Sequence, residues 1–108
     1  MSLKIAIAQM NAVVGDIAGN AAKILDFARR AAAQGADAML TPELALCGYP
    51  PEDLLLRRDY YEACAEALSS LARELPDLAV IVGHPLEEDG RCFNAATLIG
   101  NGALLTTY

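Results

Sequence analysis

The sequence has 108 residues, 55% hydrophobic and 20% charged, which is enough apolar material for one packed domain and too much for a disordered tail. The formal net charge is -6, and the eight Lys and Arg residues are scattered, which excludes the basic face that nucleic-acid phosphates require. No apolar run approaches the ~20 residues needed to cross a bilayer, and the N-terminal stretch, with its single Lys4, lacks a signal-peptide pattern. The simplest expectation is a soluble cytoplasmic protein with neither nucleic acid nor membrane as partner.

The first element is the run LKIAIAQM, Leu3 to Met10, a short apolar stretch suited to a strand covered on both faces. Gly15, Asp16 and Gly19 punctuate the loop after it, and Asn20 is an expected N-cap. From Ala21 the pattern turns helical. Ile24, Phe27, Ala28 and Ala31 share a face, Asp26 and Arg30 form an i, i+4 pair, and Gly35 suits the position just past the helix.

The run AMLTPE reads as a second strand that ends near Pro42, which cannot donate to a ladder. CGYPPED is a loop, since Gly48, Pro50 and Pro51 oppose a helix. A second helix is expected from about Asp59 to Glu74, with an apolar stripe of Tyr61, Cys64, Ala65, Leu68, Leu71, Ala72 and Leu75, and Pro76 closes it. LAVIVG, Leu78 to Gly83, is a third strand. Asp89-Gly90 and Asn101-Gly102 are hairpin dipeptides separating CFNAATLI from ALLTTY. The acidic run Glu87 to Asp89 then reads as a solvated hairpin tip.

The expected fold class is therefore α/β in the order β-α-β-α-β-β-β, with helix-linked parallel strands followed by antiparallel hairpins. The sequence shows no internal repeat, linker or second domain. Two helices cover only one face of such a sheet, so a partner or further chain is expected on the other.

Among chemistry-bearing residues, Glu43 stands at a strand's carboxyl end, where open α/β sheets bind ligands. Hemmed by Met39, Leu40 and Leu44 to Leu46, it is expected to be partly desolvated. Desolvation disfavours a charged carboxylate, which is one way a glutamate is tuned as a general base. Taken alone, the residue fits a cap on the following turn at least as well. Tyr49 fits both a substrate-pocket wall and a loop aromatic packed over the strand ends.

Cys47, Cys64 and Cys92 form no CxxC pair and no zinc spacing, and a single His84 does not complete a metal site. Cys47 lies near Glu43, but a thiol beside a carboxylate without a nearby cation is less acidic, so a packed inert thiol is expected. Cys64 belongs to the helical stripe, Cys92 is read as structural, and His84 as a hydrogen-bonded structural histidine. Gly15 and Gly19 are not followed by the Gly-Lys-Ser/Thr of a phosphate loop.

Two strings carry a resemblance. KIAIAQMNAVVGDIAGNAAKI and the strand ending TPELALCGY resemble the start of the carbon–nitrogen hydrolase (nitrilase) superfamily, and the likeness runs from Lys4 to Tyr108. The longer TPELALCGYPPEDLLLR is most similar to the glutaminase domains of glutamine-dependent NAD+ synthetases. The resemblance implies the N-terminal part of an αββα sandwich, with Glu43 as the glutamate of a Glu-Lys-Cys triad acting on glutamine. The family's lysine and nucleophilic cysteine follow later, beyond Tyr108. So does the synthetase part, where ATP and Mg²⁺ are expected; none of these 108 residues is expected to bind a cofactor. The remainder of the same polypeptide is the expected partner, and family members commonly form homo-oligomers. Two other readings stay open: a fragment of another amidase, nitrilase or carbamoylase, and a non-catalytic α/β interaction module.

Overall fold

A computed structural model describes residues 3–48 and 58–108. The elements follow the expected order: β1 (Ile5–Ile7), α1 (Ile17–Ala33), β2 (Ala38–Leu40), α2 (Arg58–Glu74), β3 (Ala79–Glu88), β4 (Arg91–Gly100) and β5 (Ala103–Thr107). They form one five-stranded sheet, ordered β1-β2-β3-β4-β5. β1, β2 and β3 are parallel, and β3-β4 and β4-β5 are antiparallel hairpins. Asp89, Gly90, Asn101 and Gly102 all have positive φ, as the tight turns at both hairpin tips require.

Helix α1 begins four residues before the expected start, and Asp16 rather than Asn20 caps it. The Asp16 carboxylate accepts from the Gly19 N–H at 3.0 Å. This leaves Asn20 inside the first turn with its side chain fully buried. Ile24, Ala28 and Ala31 make the inward stripe as expected. Phe27 stays half-buried under the Arg30 guanidinium, 4.4 Å from the ring centre, while Arg30 also pairs with Asp26 at 3.1 Å. Gly35 follows the helix with φ +81°. In α2 the inward stripe is Tyr60, Cys64, Leu68, Leu71 and Ala72. It is rotated slightly from the expected one, so that Tyr61 is only half-buried and Ala65 is exposed.

Both helices pack on one face of the sheet, where Met39, Val80, Val82 and Ile99 meet Ile24, Ala28, Leu68 and Leu71 in a common core. Side chains alternate across a strand, so the neighbours of these core residues point the other way. The register puts Ile7 opposite Leu40, Leu40 opposite Ile81, and Ile81 opposite Leu98. That row crosses four strands on the face without helices. Ile7 is 71% exposed, and the other three are half-buried. The half-covered sheet expected from the element count is therefore present, with an apolar uncovered face.

Two strands differ in length from expectation. β1 is regular only over Ile5–Ile7, and β3 runs on past Gly83 through His84 and Pro85 to Glu88. The Gly83 N–H and C=O both bond toward the β2 side, to Thr41 Oγ1 (3.1 Å) and the Leu46 N–H (3.0 Å). Two residues on, Pro85 faces that same edge, where β2 has already ended, so its missing N–H removes no ladder bond.

Candidate active site

The Thr41–Gly48 turn leaves β2 and lies against β3. The Thr41 N–H and hydroxyl both donate to the Ile81 carbonyl, at 3.1 and 2.9 Å. The Gly83 bonds pin the turn from below. A methyl group at Gly83 would lie 2.5 Å from the Pro42 oxygen and 2.7 Å from the Leu44 nitrogen, so only glycine lets the turn approach this closely. The tightness shows in Leu44, a non-glycine residue at φ +52°, whose backbone is held in the left-handed region by a buried side chain. Leu44 to Cys47 all turn inward.

Glu43 turns the other way. Met39 and Leu44 to Leu46 face the helical core while Leu40 lies on the open face, so the expected desolvation is absent and the Glu43 side chain is exposed. It is nevertheless held, because the Asn94 Nδ2 of β4 donates to its Oε1. Asn94 sits opposite Pro85 in the hairpin register, two positions beyond the Gly83–Ala96 pair. Glu43 therefore stands on the uncovered face of the sheet. Beside it, at the carboxyl ends of β1 and β2, a groove is lined by Ile7, Gln9, Asn11, Thr41 and Pro42. Tyr49, the other expected pocket residue, lies outside the described residues.

The turn is also tied to the loop between β1 and α1. The Gly15 N–H donates to the Cys47 carbonyl at 2.9 Å. Asn20 bridges the two segments through Val13 and Leu46. Gly48, at φ +79°, packs so closely that a Cβ would lie 2.8 Å from the Val14 Cα.

Cys47 and Cys64 are buried as expected. Burial pushes the Cys47 thiol up, and Cys64 is pushed up to about 12, first by burial and then by Cys47. Neither is poised as a nucleophile. The Tyr60 hydroxyl is buried beside Cys47, and its contact with that thiol opposes part of the effect of burial on Cys47. Cys92 departs from the structural reading: it is exposed, and the Tyr61 hydroxyl donates to its sulfur at 2.7 Å. His84 is a buried structural residue. Nδ1 donates to the Pro85 carbonyl at 3.1 Å, and Nε2 meets the Thr97 hydroxyl at 2.7 Å. Thr97 in turn meets the Thr107 hydroxyl at 2.8 Å.

Sequence reasoning missed Gly83, Asn94 and the inward role of Asn20. The one available signal was Asn94 itself, a strand-disfavoured amide inside the run CFNAATLI.

A mixed sheet whose parallel strands deliver a glutamate from the end of the second, with two helices on one face, is the arrangement of a carbon–nitrogen hydrolase. The chain belongs to that family, whose pattern matches residues 4–108. Within it, the chain is 47% identical over 108 residues to the glutamine-dependent NAD(+) synthetase of Synechocystis sp., covering 93% of this chain and 19% of that protein. It is 38% identical over 107 residues to the enzyme of the same name from Xylella fastidiosa, covering 98% of this chain and 20% of that one. Among solved structures, the glutamine-dependent NAD(+) synthetase of Cytophaga hutchinsonii superposes with a TM-score of 0.93 at 28% identity, over 99% of this chain and 18% of that one. An amidase from Nesterenkonia sp. superposes at 0.83 and 31% identity, over 98% of this chain and 41% of that one. The chain thus spans about a fifth of the length of the synthetases it matches.

Proposed function

We propose that this chain is the amino-terminal part of a glutaminase domain that hydrolyses glutamine and passes the ammonia to an ATP-dependent amidation of deamido-NAD+. The 47% identity to the Synechocystis synthetase carries this reading. The likeness to the Nesterenkonia amidase extends to a second superfamily activity, but the identity there is lower, at 31%.

In this reading Glu43 is the general base. It takes the proton of a cysteine thiol supplied by the polypeptide beyond this segment, and the thiolate attacks the glutamine carboxamide carbon. A lysine, also from beyond the segment, stabilises the oxyanion. Glu43 returns the proton to the departing nitrogen as the carbon–nitrogen bond breaks. It then assists water in hydrolysing the thioester to glutamate. The related chemistry of the Nesterenkonia amidase supports the thiol step, since one of its variants carries the acetamide moiety of fluoroacetamide at the active site cysteine.

The apolar row Ile7, Leu40, Ile81 and Leu98 is then the seat of later strands of the same polypeptide, and their arrival also covers Glu43. ATP and Mg²⁺ are assigned to the synthetase part. Among the described residues no group of three His, Cys, Asp or Glu side chains is placed to hold a metal ion. No helix of the described residues is long and apolar enough to cross a membrane. We assign the intact enzyme to the cytoplasm as a homo-oligomer.

The test uses the full-length polypeptide and its Glu43→Gln variant. Glutamine-supported NAD+ formation should fall about 10²–10⁴-fold in the variant, while ammonium-supported formation persists. Equal loss of both activities, or full glutamine turnover by the variant, refutes the assignment. Residues 1–108 alone should release no ammonia from glutamine.

A further inference from the structure

We propose that Asn94 is a positioning residue for glutamine hydrolysis: its amide holds one oxygen of the Glu43 carboxylate so that the other faces the reacting thiol. The inference rests on Glu43 being the base, and it concerns what aims that base.

Three observations converge on it. The first is the contact itself, from Asn94 Nδ2 to Glu43 Oε1. A carboxylate only accepts hydrogen bonds, so the amide nitrogen must face it. Oε2 has no partner among the described residues and remains available to take a proton.

The second is where the two residues are anchored. Glu43 is carried by a turn pinned to β3 through Thr41 and Gly83. Asn94 is carried by β4, which pairs with that same stretch of β3, Gly83 with Ala96 and Pro85 with Asn94. One hairpin therefore fixes both the backbone of the base and the donor that orients its side chain. A flexible glutamate on an exposed turn would otherwise sample several rotamers, and the reaction would lose the population that is aimed correctly.

The third is the choice of residue. Asparagine is disfavoured inside strands, and Asn94 lies between Phe93 and Ala95 in a ten-residue strand. Its side chain is exposed, so it adds no core packing. A donor at that register position is explained by the carboxylate it meets. An amide carries no net charge, so it orients a carboxylate with less loss of basicity than a cation at the same place would cause.

The experiment uses the full-length protein with Asn94→Ala, which removes the donor, and the isosteric Asn94→Asp, which keeps the shape but replaces the donor with a second carboxylate facing Glu43. Glutamine hydrolysis should fall about 10- to 100-fold in kcat, the range expected for losing one hydrogen bond to a charged group. KM for glutamine should stay within about two-fold of the parent, since substrate binding is not the step affected. Ammonium-supported synthesis and thermal midpoint should be unchanged. In the Glu43→Gln background, Asn94→Ala should add no further loss, because its only target is already disabled. A kcat near the parent value in both variants overturns the proposal. So does a parallel drop in ammonium-supported activity or in thermal midpoint, which marks a purely structural residue. So does an additive loss in the double variant. If Glu43→Gln alone remains active, the base assignment fails. If Glu43→Gln is inactive but the Asn94 variants are not, only the positioning role fails.

Discussion

The side-chain amide of Asn20 donates to the Leu46 carbonyl at 3.0 Å, joining helix α1 to the turn that carries Glu43. The same amide also donates to the Val13 carbonyl and its oxygen accepts from the Val13 N–H, both at 2.8 Å. Every polar atom of this buried side chain is thus used, and it holds together two loops that have no strand between them. Asn20→Ala should lower stability by about 2–4 kcal/mol, because it leaves buried backbone groups unpaired. Asn20→Asp discriminates further. A capping residue would tolerate it, whereas a carboxylate here cannot donate to either carbonyl. Chemical denaturation should show Asp no better than Ala at this position.

Gly83 makes the corresponding prediction for the turn itself. In Gly83→Ala the new methyl meets the Pro42 oxygen and the Leu44 nitrogen, both backbone atoms that cannot swing aside. The turn must move off β3, giving up the Leu46–Gly83 bond and shifting Glu43. Overpacking of this kind costs about 1–3 kcal/mol. With Glu43 as the proposed base, glutamine turnover by the full-length protein should fall by more than that destabilisation explains, since a displacement of about 1 Å at a reacting group costs up to about 10²-fold. Comparing kcat at a temperature where both proteins remain folded separates the two effects.

Local patterns carried most of the architecture. The two turn dipeptides, the helical stripe around Ile24 and Gly35 past α1 each depend on residues close in sequence and are found where periodicity and turn chemistry put them, while the stripe around Leu68 is found slightly rotated, with Tyr60 inward in place of Tyr61. Asp16 and Asn20 show where this stops. Both are good caps, and only the three-dimensional meeting with Leu46, 26 residues away, decides that Asn20 turns inward. Glu43 is legible as a strand-end carboxylate, but its exposure is not, because flanking apolar residues say nothing about which face each one takes. Asn94 and Gly83 are further still from legibility. Their roles arise from a contact across 51 residues and from a backbone approach that no local pattern encodes.

The thiols separate by burial. Cys47 and Cys64 are enclosed, and burial raises both, Cys64 to about 12. Alkylation requires a thiolate and access, and they have neither in the folded state. Cys92 is exposed at the start of β4, next to the Tyr61 hydroxyl. With an alkylating agent at pH 8, peptide mapping should find Cys47 and Cys64 protected by at least about 100-fold relative to denatured protein, because labelling then waits on opening of the core. Rapid labelling of Cys47 in the native enzyme would instead mark it as a reactive group beside Glu43.

His84 gives the fold a dependence on pH with a definite sign. Burial holds its imidazole below the ordinary value of about 6.5, with the Pro85 carbonyl bond opposing that shift. The Nδ1 bond to the Pro85 carbonyl fixes the tautomer of the neutral ring, whose Nε2 then accepts from the Thr97 hydroxyl. Above about pH 6.5 the ring is neutral in both folded and unfolded chains, and its contribution to stability is fully present. Below that value the unfolded chain takes up a proton first, so stability falls as pH falls, by at most about 1.4 kcal/mol per pH unit until the folded ring also protonates. His84→Gln removes the titration at the cost of two imperfectly replaced hydrogen bonds. It should therefore be less stable than the parent at pH 7.5, with the difference narrowing by pH 5.5. Denaturation midpoints at the two pH values, measured for both proteins, check this directly: curves that stay parallel would show that the acid sensitivity comes from other groups and that His84 is not its source.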